Sequence, residues 1–415
     1  MKERIIRLRT NIRRMTAWRA IFWVIIAAGA ISAVCRYTLG LGGTTNLRDQ
    51  FPWGLWIGFD ILCGVGLAAG GFIVAASVYI LNLERFRSIL RPAILTAFLG
   101  YILVIVALMF DLGRPWNIWH PLIMWNPHSV MFEVGWCVML YTTVLALEFS
   151  PMVFERLKLV GPQRILHAIT IPLVIVGVIL SSLHQSSLGS LYLIVPSKVY
   201  PLWYSPSLPY LFFLTAVAVG PAMVTIESYF SSRRFSREIE LPLLSQLGKV
   251  TAAALAIYLV LKIEDIVHLN LWSMLFAPRF ETAMYWAEMT VGVLAPIGLL
   301  SMTRVRENKR GIFICSLLVV AGFMLNRLNI SLTALENYSG VQYFPSWMEI
   351  SITLSIVAAG FAIFRLAAQY LPVFPDQKSE GRVLGLQDGV RQLVKLIDLP
   401  EEDLNSHEPQ LERKR

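Results

Sequence analysis

The 415-residue sequence has little charge for its length. Only 15% of its residues are charged, 56% are hydrophobic, and the mean hydropathy is +0.61. Soluble globular domains carry about 25% charged residues. The composition therefore excludes an ordinary soluble enzyme, a disordered chain and a fibrous protein, and it indicates a polytopic membrane protein.

Cysteine and histidine are also scarce. The four cysteines (Cys35, Cys63, Cys137 and Cys315) each lie in an apolar run, and no two form a C-x-x-C motif. Disulfide frameworks, zinc sites and iron–sulfur clusters need thiolates at short spacing, so none of these is predicted. The six histidines offer no evident pair at matching depth for a haem, and no phosphate-binding glycine motif occurs. We therefore predict no metal site, haem or iron–sulfur cluster within this chain.

Ten apolar runs are long enough to cross a bilayer, whose core of about 30 Å takes about 20 helical residues. The predicted spans are 18–35, 53–81, 92–110, 130–149, 165–183, 210–230, 250–266, 284–302, 312–328 and 350–370. The first run could be a signal peptide, but no small-residue cleavage site ends it, and a retained helix is favoured. The prediction is an all-α integral membrane protein with a ten-helix domain over 18–371, between a basic N-terminal segment 1–17 and a tail 372–415.

The basic residues are distributed unevenly between the two sets of loops. Both termini and the loops on their side of the membrane carry 27 Lys and Arg residues, and the opposite loops carry 5. Lys and Arg are enriched on the cytoplasmic side, so both termini are predicted to be cytoplasmic. The surplus of 9 positive charges is explained by this asymmetry, and we predict no nucleic-acid partner.

Ionisable side chains gather near the outer ends of the spans. The first half has Asp60, Asp111, His128, Glu133 and His184, and the second half has Lys262, Glu264, Asp265, Glu288 and Arg327. A charge in the hydrocarbon core costs about 2.5–3.5 kcal/mol on insertion scales. These groups are expected to face the protein interior. They either line a wet cavity or form a structural ion-pair network, for example Glu288 with Arg327 or Lys262 with a neighbouring acid.

A weak internal repeat accompanies this pattern. Asp111 and Asp265 are 154 residues apart, and Glu133 and Glu288 are 155 residues apart. The spacing predicts two parallel four-helix bundles, helices 2–5 over 53–183 and helices 6–9 over 210–328, flanked by helices 1 and 10.

Acidic groups and a histidine beneath the outer surface suit a quinone head group. A quinone needs hydrogen bonds to two carbonyls and two protons for each two electrons, which histidine and carboxylates can supply. A proton-coupled secondary transporter could use the same groups. A purely structural anchor for a periplasmic complex would explain the aromatic outer loops, although it leaves Asp60 and Glu133 unexplained.

Five sequence strings carry a family resemblance. They are FPWGLWIGFD at 51–60, DLGRPW at 111–116, NPHSVMFE at 126–133, ALEFSP at 146–151 and HQSSLGSL at 184–191. Together they resemble the NrfD/PsrC family of quinone-reactive membrane subunits. Within it, the sequence is most similar to the ten-helix branch of the hydrogenase-2 membrane subunit (HybB), to which the membrane subunit of the menaquinone reductase (Qrc) complex is related.

The resemblance implies an electron-transport subunit that is inactive alone and resides in a bacterial inner membrane, in an anaerobic respiratory chain. Such subunits carry no prosthetic group. They dock a periplasmic ferredoxin-like iron–sulfur subunit, and through it a hydrogenase, a molybdopterin-type enzyme or a multihaem cytochrome c. Their substrate is menaquinone or ubiquinone. We expect quinone reduction, with quinol oxidation feeding a periplasmic reductase as the alternative.

The resemblance also assigns roles in the first bundle. His184 is expected to donate to a quinone carbonyl, and Asp60 and Glu133 to relay protons. Quinone-binding roles then fall to Asp111, Arg114, His128 and Trp53. If protons are drawn from the cytoplasm, turnover moves charge across the membrane. The candidate inner relay residues are Glu148, His167 and Glu227, with Tyr141 and Thr143 between them.

Overall fold

The computed structural model describes residues 17–235 and 239–374, which fold into helices joined by short connections. No β-strand occurs in these two ranges; Arg48 and Phe51 form one isolated bridge. Ten long helices follow one another within these two ranges. They are α1 (Ala17–Leu39), α2 (Trp56–Tyr79), α3 (Arg87–Asp111), α4 (Val130–Leu157), α5 (Val160–Leu193), α6 (Leu208–Phe235), α7 (Leu241–His268), α8 (Phe280–Ser301), α9 (Lys309–Ser339) and α10 (Trp347–Tyr370).

Nine helices within the described ranges are long and apolar enough to cross a membrane. The remaining long helix, α7, has 28 residues, but it is not among the nine; Lys262, Glu264 and Asp265 lie near its C-terminal end. The predicted all-α membrane fold is therefore confirmed. The count of ten spans stays a prediction.

Helices α2 and α6 form the centre of the molecule. In their most apolar stretches 72% and 67% of the residues are buried inside the protein, against 11% for α1. Helix α2 packs against α3, α5, α6 and α9. Glycines permit this close approach: a Cβ at Gly70 would lie 3.0 Å from the Gly220 carbonyl oxygen on α6.

The other helices pack around this pair in order. Helices α3, α4 and α5 follow one another on one side, and α7, α8 and α9 on the other. Helix α1 lies along α10, which in turn contacts α3. The parallel repeat of the two groups stays a prediction.

Helix α2 is irregular along its length. It begins with a π-helical segment (Trp56–Cys63), continues as Gly64–Leu67, and is interrupted at Ala68 and Ala69 before Gly70–Tyr79. Such departures from α geometry leave backbone groups without their usual helical partners.

Several helices extend beyond their predicted ends, and α5 and α9 extend furthest. Helix α5 continues to Leu193 and α9 to Ser339, ten and eleven residues past the ends predicted at 183 and 328. Polar residues follow both predicted ends, and they continue the helix because they are buried against other helices rather than exposed to lipid. His184 consequently lies nine residues inside α5, about 14 Å from its outer end, and not at the end itself.

The predicted terminal segments fall largely outside the description. Residues 1–16 and 375–415, which contain most of the basic N-terminus and of the tail, lie outside the described ranges, as do residues 236–238.

Candidate functional site

His184 lies at the centre of a buried polar cluster between α3, α4 and α5. Its side chain is fully buried, and neither ring nitrogen has a hydrogen-bond partner among the described residues. The Tyr101 ring lies 5.7 Å from the His184 ring and 4.7 Å from the Tyr141 ring, measured between centroids. Both tyrosine hydroxyls are also buried without a partner in that part of the chain.

Buried polar atoms in native proteins nearly always have a partner. An unsatisfied one costs about 1–3 kcal/mol. Four such atoms on His184, Tyr101 and Tyr141 therefore indicate a place where a polar group, from a ligand or water, completes the hydrogen bonds.

The interruption of α2 adds a further polar group beside this cluster. The Ala69 amide donates to the Gly66 carbonyl at 3.0 Å, so the Val65 carbonyl loses its usual helical donor. Gln185 Nε2 donates to that Val65 oxygen at 3.1 Å, while Gln185 Oε1 has no partner in the described residues. The irregular segment of α2 thus holds Gln185, the residue that follows His184, through this hydrogen bond.

An aromatic group lies on the outer side of the cluster. The half-buried Trp53 ring meets the Tyr192 ring edge-on at 5.8 Å, and Tyr192 lies 6.0 Å from Phe212 of α6. The Tyr192 hydroxyl is buried with no partner among the described residues.

Glu133 connects the outer ends of α4 and α5. It occupies the first turn of α4, and its Oε1 accepts a 2.5 Å hydrogen bond from Ser187 Oγ. Ser187 lies three residues after His184 on α5. Glu133 is exposed, so its carboxylate links the His184 helix to the outside of the bundle.

Asp60 faces a different neighbour. It is 6% exposed, and its Oδ2 accepts a 2.6 Å hydrogen bond from Thr353 Oγ1 on α10. Its position in the π-helical segment of α2 therefore directs it towards α10, whereas His184 packs with α3 and α4. No hydrogen bond among the described residues joins Asp60 to His184.

A second outer network surrounds this contact with α10. Glu349 caps α10 through the Ser346 amide at 2.8 Å, and it also accepts from the Asn46 amide at 3.1 Å and from the Tyr343 hydroxyl. Burial and the bonded Glu349 carboxylate raise the pKa of the Tyr343 phenol above its ordinary value. The same hydroxyl accepts from the Leu55 amide at 2.9 Å, so α10 holds the start of α2.

The remaining predicted binding residues lie near the outer connection between α3 and α4. Asp111 ends α3 and is half-buried, while Arg114 and His128 are exposed in the following segment. The carbonyls at this end of α3 are held by Arg36 of α1, which donates to Phe110 at 2.8 Å and to Leu112 at 2.9 Å.

The predicted second-bundle residues form two groups. Lys262, Glu288 and Arg327 are buried, and Asp265 is half-buried beside Ser205, whose Oγ donates to it at 2.7 Å. Glu264 is exposed and lies 3.7 Å from His268. The alternative of an ion-pair network, with Glu288 paired to Arg327 or Lys262 to a neighbouring acid, is wrong: within the described ranges, no ion pair joins the four buried or half-buried charges.

Sequence analysis missed several residues of these networks. Tyr101, Gln185 and Thr353 were not predicted as site residues, and Tyr141 was predicted only as part of an inner proton path. A tyrosine within an apolar span is a usable signal, because its hydroxyl needs a partner when buried. Thr353 gives no such signal, since its bond to Asp60 spans 293 residues.

Three relatives cover nearly the whole chain. A protein of Nitratidesulfovibrio vulgaris is 40% identical over 383 residues, covering 89% of this chain and 98% of its own length. The probable Ni/Fe-hydrogenase 2 b-type cytochrome subunit of Escherichia coli is 34% identical, and the match covers 86% of this chain and 92% of that protein. The menaquinone reductase integral membrane subunit of Nitratidesulfovibrio vulgaris is 28% identical, and the match covers 90% of this chain and 95% of that protein.

The name of the Escherichia coli relative raises the question of a haem, whose iron takes axial His or Met ligands in cytochromes. Among the five histidines in the described ranges, only His184 is buried. Those ranges also contain no group of three His, Cys, Asp or Glu residues that could hold a metal ion. They offer no buried histidine pair, so no step is assigned to a haem here, and its absence stays a prediction.

The family comparison agrees with the five sequence strings. Residues 43–336 match the family described as polysulphide reductase, NrfD. This range includes α2 to α8 in full and most of α9, together with the His184 cluster, and it is well over half of the chain. This multi-pass membrane protein therefore belongs to the NrfD family.

Proposed function

We propose that this chain is the quinone-reactive membrane subunit of a respiratory oxidoreductase complex. The single observation that carries the proposal is the fully buried His184, whose two ring nitrogens lack partners beside the unpartnered hydroxyls of Tyr101 and Tyr141. A quinone head group has two carbonyl acceptors and becomes a hydroxyl donor on reduction, so it can complete these hydrogen bonds in either redox state. The relative named menaquinone reductase integral membrane subunit supports menaquinone as the substrate.

His184 and a tyrosine hydroxyl act as the carbonyl donors in this proposal. Two electrons arrive from a periplasmic iron–sulfur partner subunit, and two protons are taken up for each quinone reduced to quinol. Glu133 supplies protons from the outer side, because its carboxylate is accessible and is bonded through Ser187 to the helix that carries His184. Trp53 and Tyr192 form the apolar wall on the outer side of the head group.

Asp60 is proposed as a second proton-carrying group at the α2–α10 contact. It bonds to Thr353 of α10, whereas His184 packs with α3 and α4, and we place its route to the cluster along the outer end of α2. Asp111, Arg114 and His128 are proposed to surround the entrance, where the partner subunit docks.

Solvent extraction of the purified chain with its copurifying partners tests the substrate. We expect bound menaquinone and an iron–sulfur subunit. Absence of any quinone from a complex that still transfers electrons would contradict the proposal.

Variants of the carboxylates test the relay. Glu133→Gln is expected to lower quinone-linked turnover by about a hundredfold, the usual contribution of a proton-transfer group. Glu264→Gln, at an exposed glutamate of α7, is the matched control and should leave turnover unchanged. Equal turnover in both variants would remove Glu133 from the mechanism.

The direction of electron flow is proposed to be quinone reduction. Turnover with a reduced partner and added menaquinone should then exceed turnover in the reverse direction. Faster oxidation of menaquinol than reduction of menaquinone would show that the complex works as a quinol-oxidising enzyme, and the proposed direction would be wrong.

The proposal includes charge translocation: if the protons for quinone reduction come from the cytoplasm, each turnover moves charge across the membrane. Glu227 of α6 lines a small cavity with Thr96 and the α2 interruption at Ala68, and Thr96 Oγ1 is buried without a partner in the described ranges. His167 is exposed on the surface of α5, whereas Glu148 is half-buried on α4, and a Cβ at Gly177 would touch both Glu148 and Tyr141. Glu227 and Glu148 are therefore the proposed inner relay residues. Proteoliposomes that turn over quinone without moving charge would exclude the route.

The orientation is proposed to place both termini in the cytoplasm of a bacterial inner membrane, as the loop charges predict. Reporter fusions after residues 160 and 198 should report opposite sides of the membrane. The cytoplasmic report is expected at residue 160, and a reversed result would overturn the assignment.

A further inference from the structure

Two cations are buried against one cavity in the second group of helices. Lys262 of α7 is 4% exposed and Arg327 of α9 is 1% exposed. Both line a small cavity together with Trp203, Tyr258 and Asn326, and the rest of its lining is apolar. No carboxylate lines it.

The donors of these cations are only partly used. Lys262 Nζ, which has three hydrogens, makes one hydrogen bond within the described ranges, to the Leu202 carbonyl at 3.2 Å. Arg327 Nη1 donates to Asn326 Oδ1 at 2.6 Å, and Nη2 donates to Thr215 Oγ1 at 2.8 Å and to the Phe212 carbonyl at 3.2 Å. Its buried Nε has no partner in the described part of the chain. The lining therefore has hydrogen-bond donors to spare.

The nearest acids do not neutralise the cations by direct contact. Glu288 accepts from three neutral donors, Trp203 Nε1 at 2.9 Å, Asn326 Nδ2 at 2.7 Å and Asn329 Nδ2 at 2.9 Å. Within the described ranges neither cation lies within ion-pair distance of a carboxylate. A buried charge without a paired partner is costly, and here two cations share one cavity.

These features select the ligand. The lining offers spare donors, which suits a ligand that only accepts, whereas water must also donate. The cavity has room for a water-sized guest, so phosphate, sulfate and carboxylates are too large. We propose that this cavity binds one halide ion, chloride in the cell, between Lys262 and Arg327. The proposal does not depend on the quinone site.

Equilibrium dialysis with radioactive chloride tests the site on the full-length chain, purified in detergent with gluconate as the counter-ion. We expect saturable binding of one chloride per chain and competition by bromide. The thermal midpoint should rise with chloride at constant ionic strength, because a ligand that binds the folded state stabilises it. A folded chain that binds no chloride saturably would overturn the proposal, whatever the variants do.

Variants identify the residues. Lys262→Met and Arg327→Gln should each raise the chloride dissociation constant at least about tenfold, since each removes a charged donor. Lys262→Arg keeps the charge and should retain binding, which provides a readout if the other variants fold poorly. Arg304→Gln removes an exposed cation and is the control. Wild-type affinity in Lys262→Met, or equal weakening by Arg304→Gln, would show that chloride binds elsewhere.

Discussion

Replacing His184 with leucine should remove quinone-linked turnover without lowering stability. The imidazole is fully buried, and neither ring nitrogen has a hydrogen-bond partner among the described residues. Each unsatisfied polar group costs about 1–3 kcal/mol. Leucine has a similar volume and no polar atom, so the free energy of unfolding of the quinone-free protein should rise by about 1–3 kcal/mol.

The activity should change in the opposite direction. Loss of the carbonyl donor is expected to lower quinone reduction by about a hundredfold or more. A residue whose removal increases stability and abolishes activity is typical of a functional site, where unsatisfied groups are retained for the ligand.

Two measurements on the same preparation check this prediction: the thermal midpoint in detergent after quinone extraction, and quinone-linked turnover of the assembled complex. His167→Leu is the matched control, because His167 is an exposed histidine on the same helix, and it should change neither quantity. A lower midpoint with normal turnover in His184→Leu would refute the reasoning and make His184 a structural residue.

Two further predictions concern helix packing. Gly322→Ala should destabilise the protein by about 1–3 kcal/mol, because a Cβ there would lie 1.9 Å from Gly292 Cα and force α8 and α9 apart. Gly298→Ala is the control, because a Cβ there meets open space and should not change the stability. Thermal midpoints compare the two variants, and equal midpoints would contradict the close contact. Thr353→Val should cost about 1.5–3 kcal/mol, because it leaves the buried Asp60 carboxyl without its donor, and Thr353→Ser should restore the midpoint if that hydrogen bond is the cause.

The sequence predicted where the helices lie better than where they end. Apolar runs place every long helix, because lipid and the protein interior both favour apolar side chains. The end of α5 could not be found in this way: hydropathy falls at His184 and Gln185, yet the helix continues because these side chains are enclosed by protein. A polar residue buried by its neighbours and one exposed to water give the same local signal.

The candidate site was predicted in part. His184 and Glu133 are connected through α5, since Glu133 bonds to Ser187 one turn from His184. Asp60 was expected in the same cluster, but the π-helical segment rotates it towards Thr353. A change of helical pitch alters which face a residue occupies, and composition carries little information about it.

Helix α10 has a consequence for biosynthesis. It lies beyond the family-matched range of 43–336, yet Thr353 and Glu349 provide the partners of Asp60 and of the segment before α2. A nascent chain inserts its earlier helices first, so Asp60 lacks its hydrogen-bond donor until α10 has been inserted. Maturation of the outer end of α2 is therefore coupled to the insertion of α10, 293 residues later in the chain.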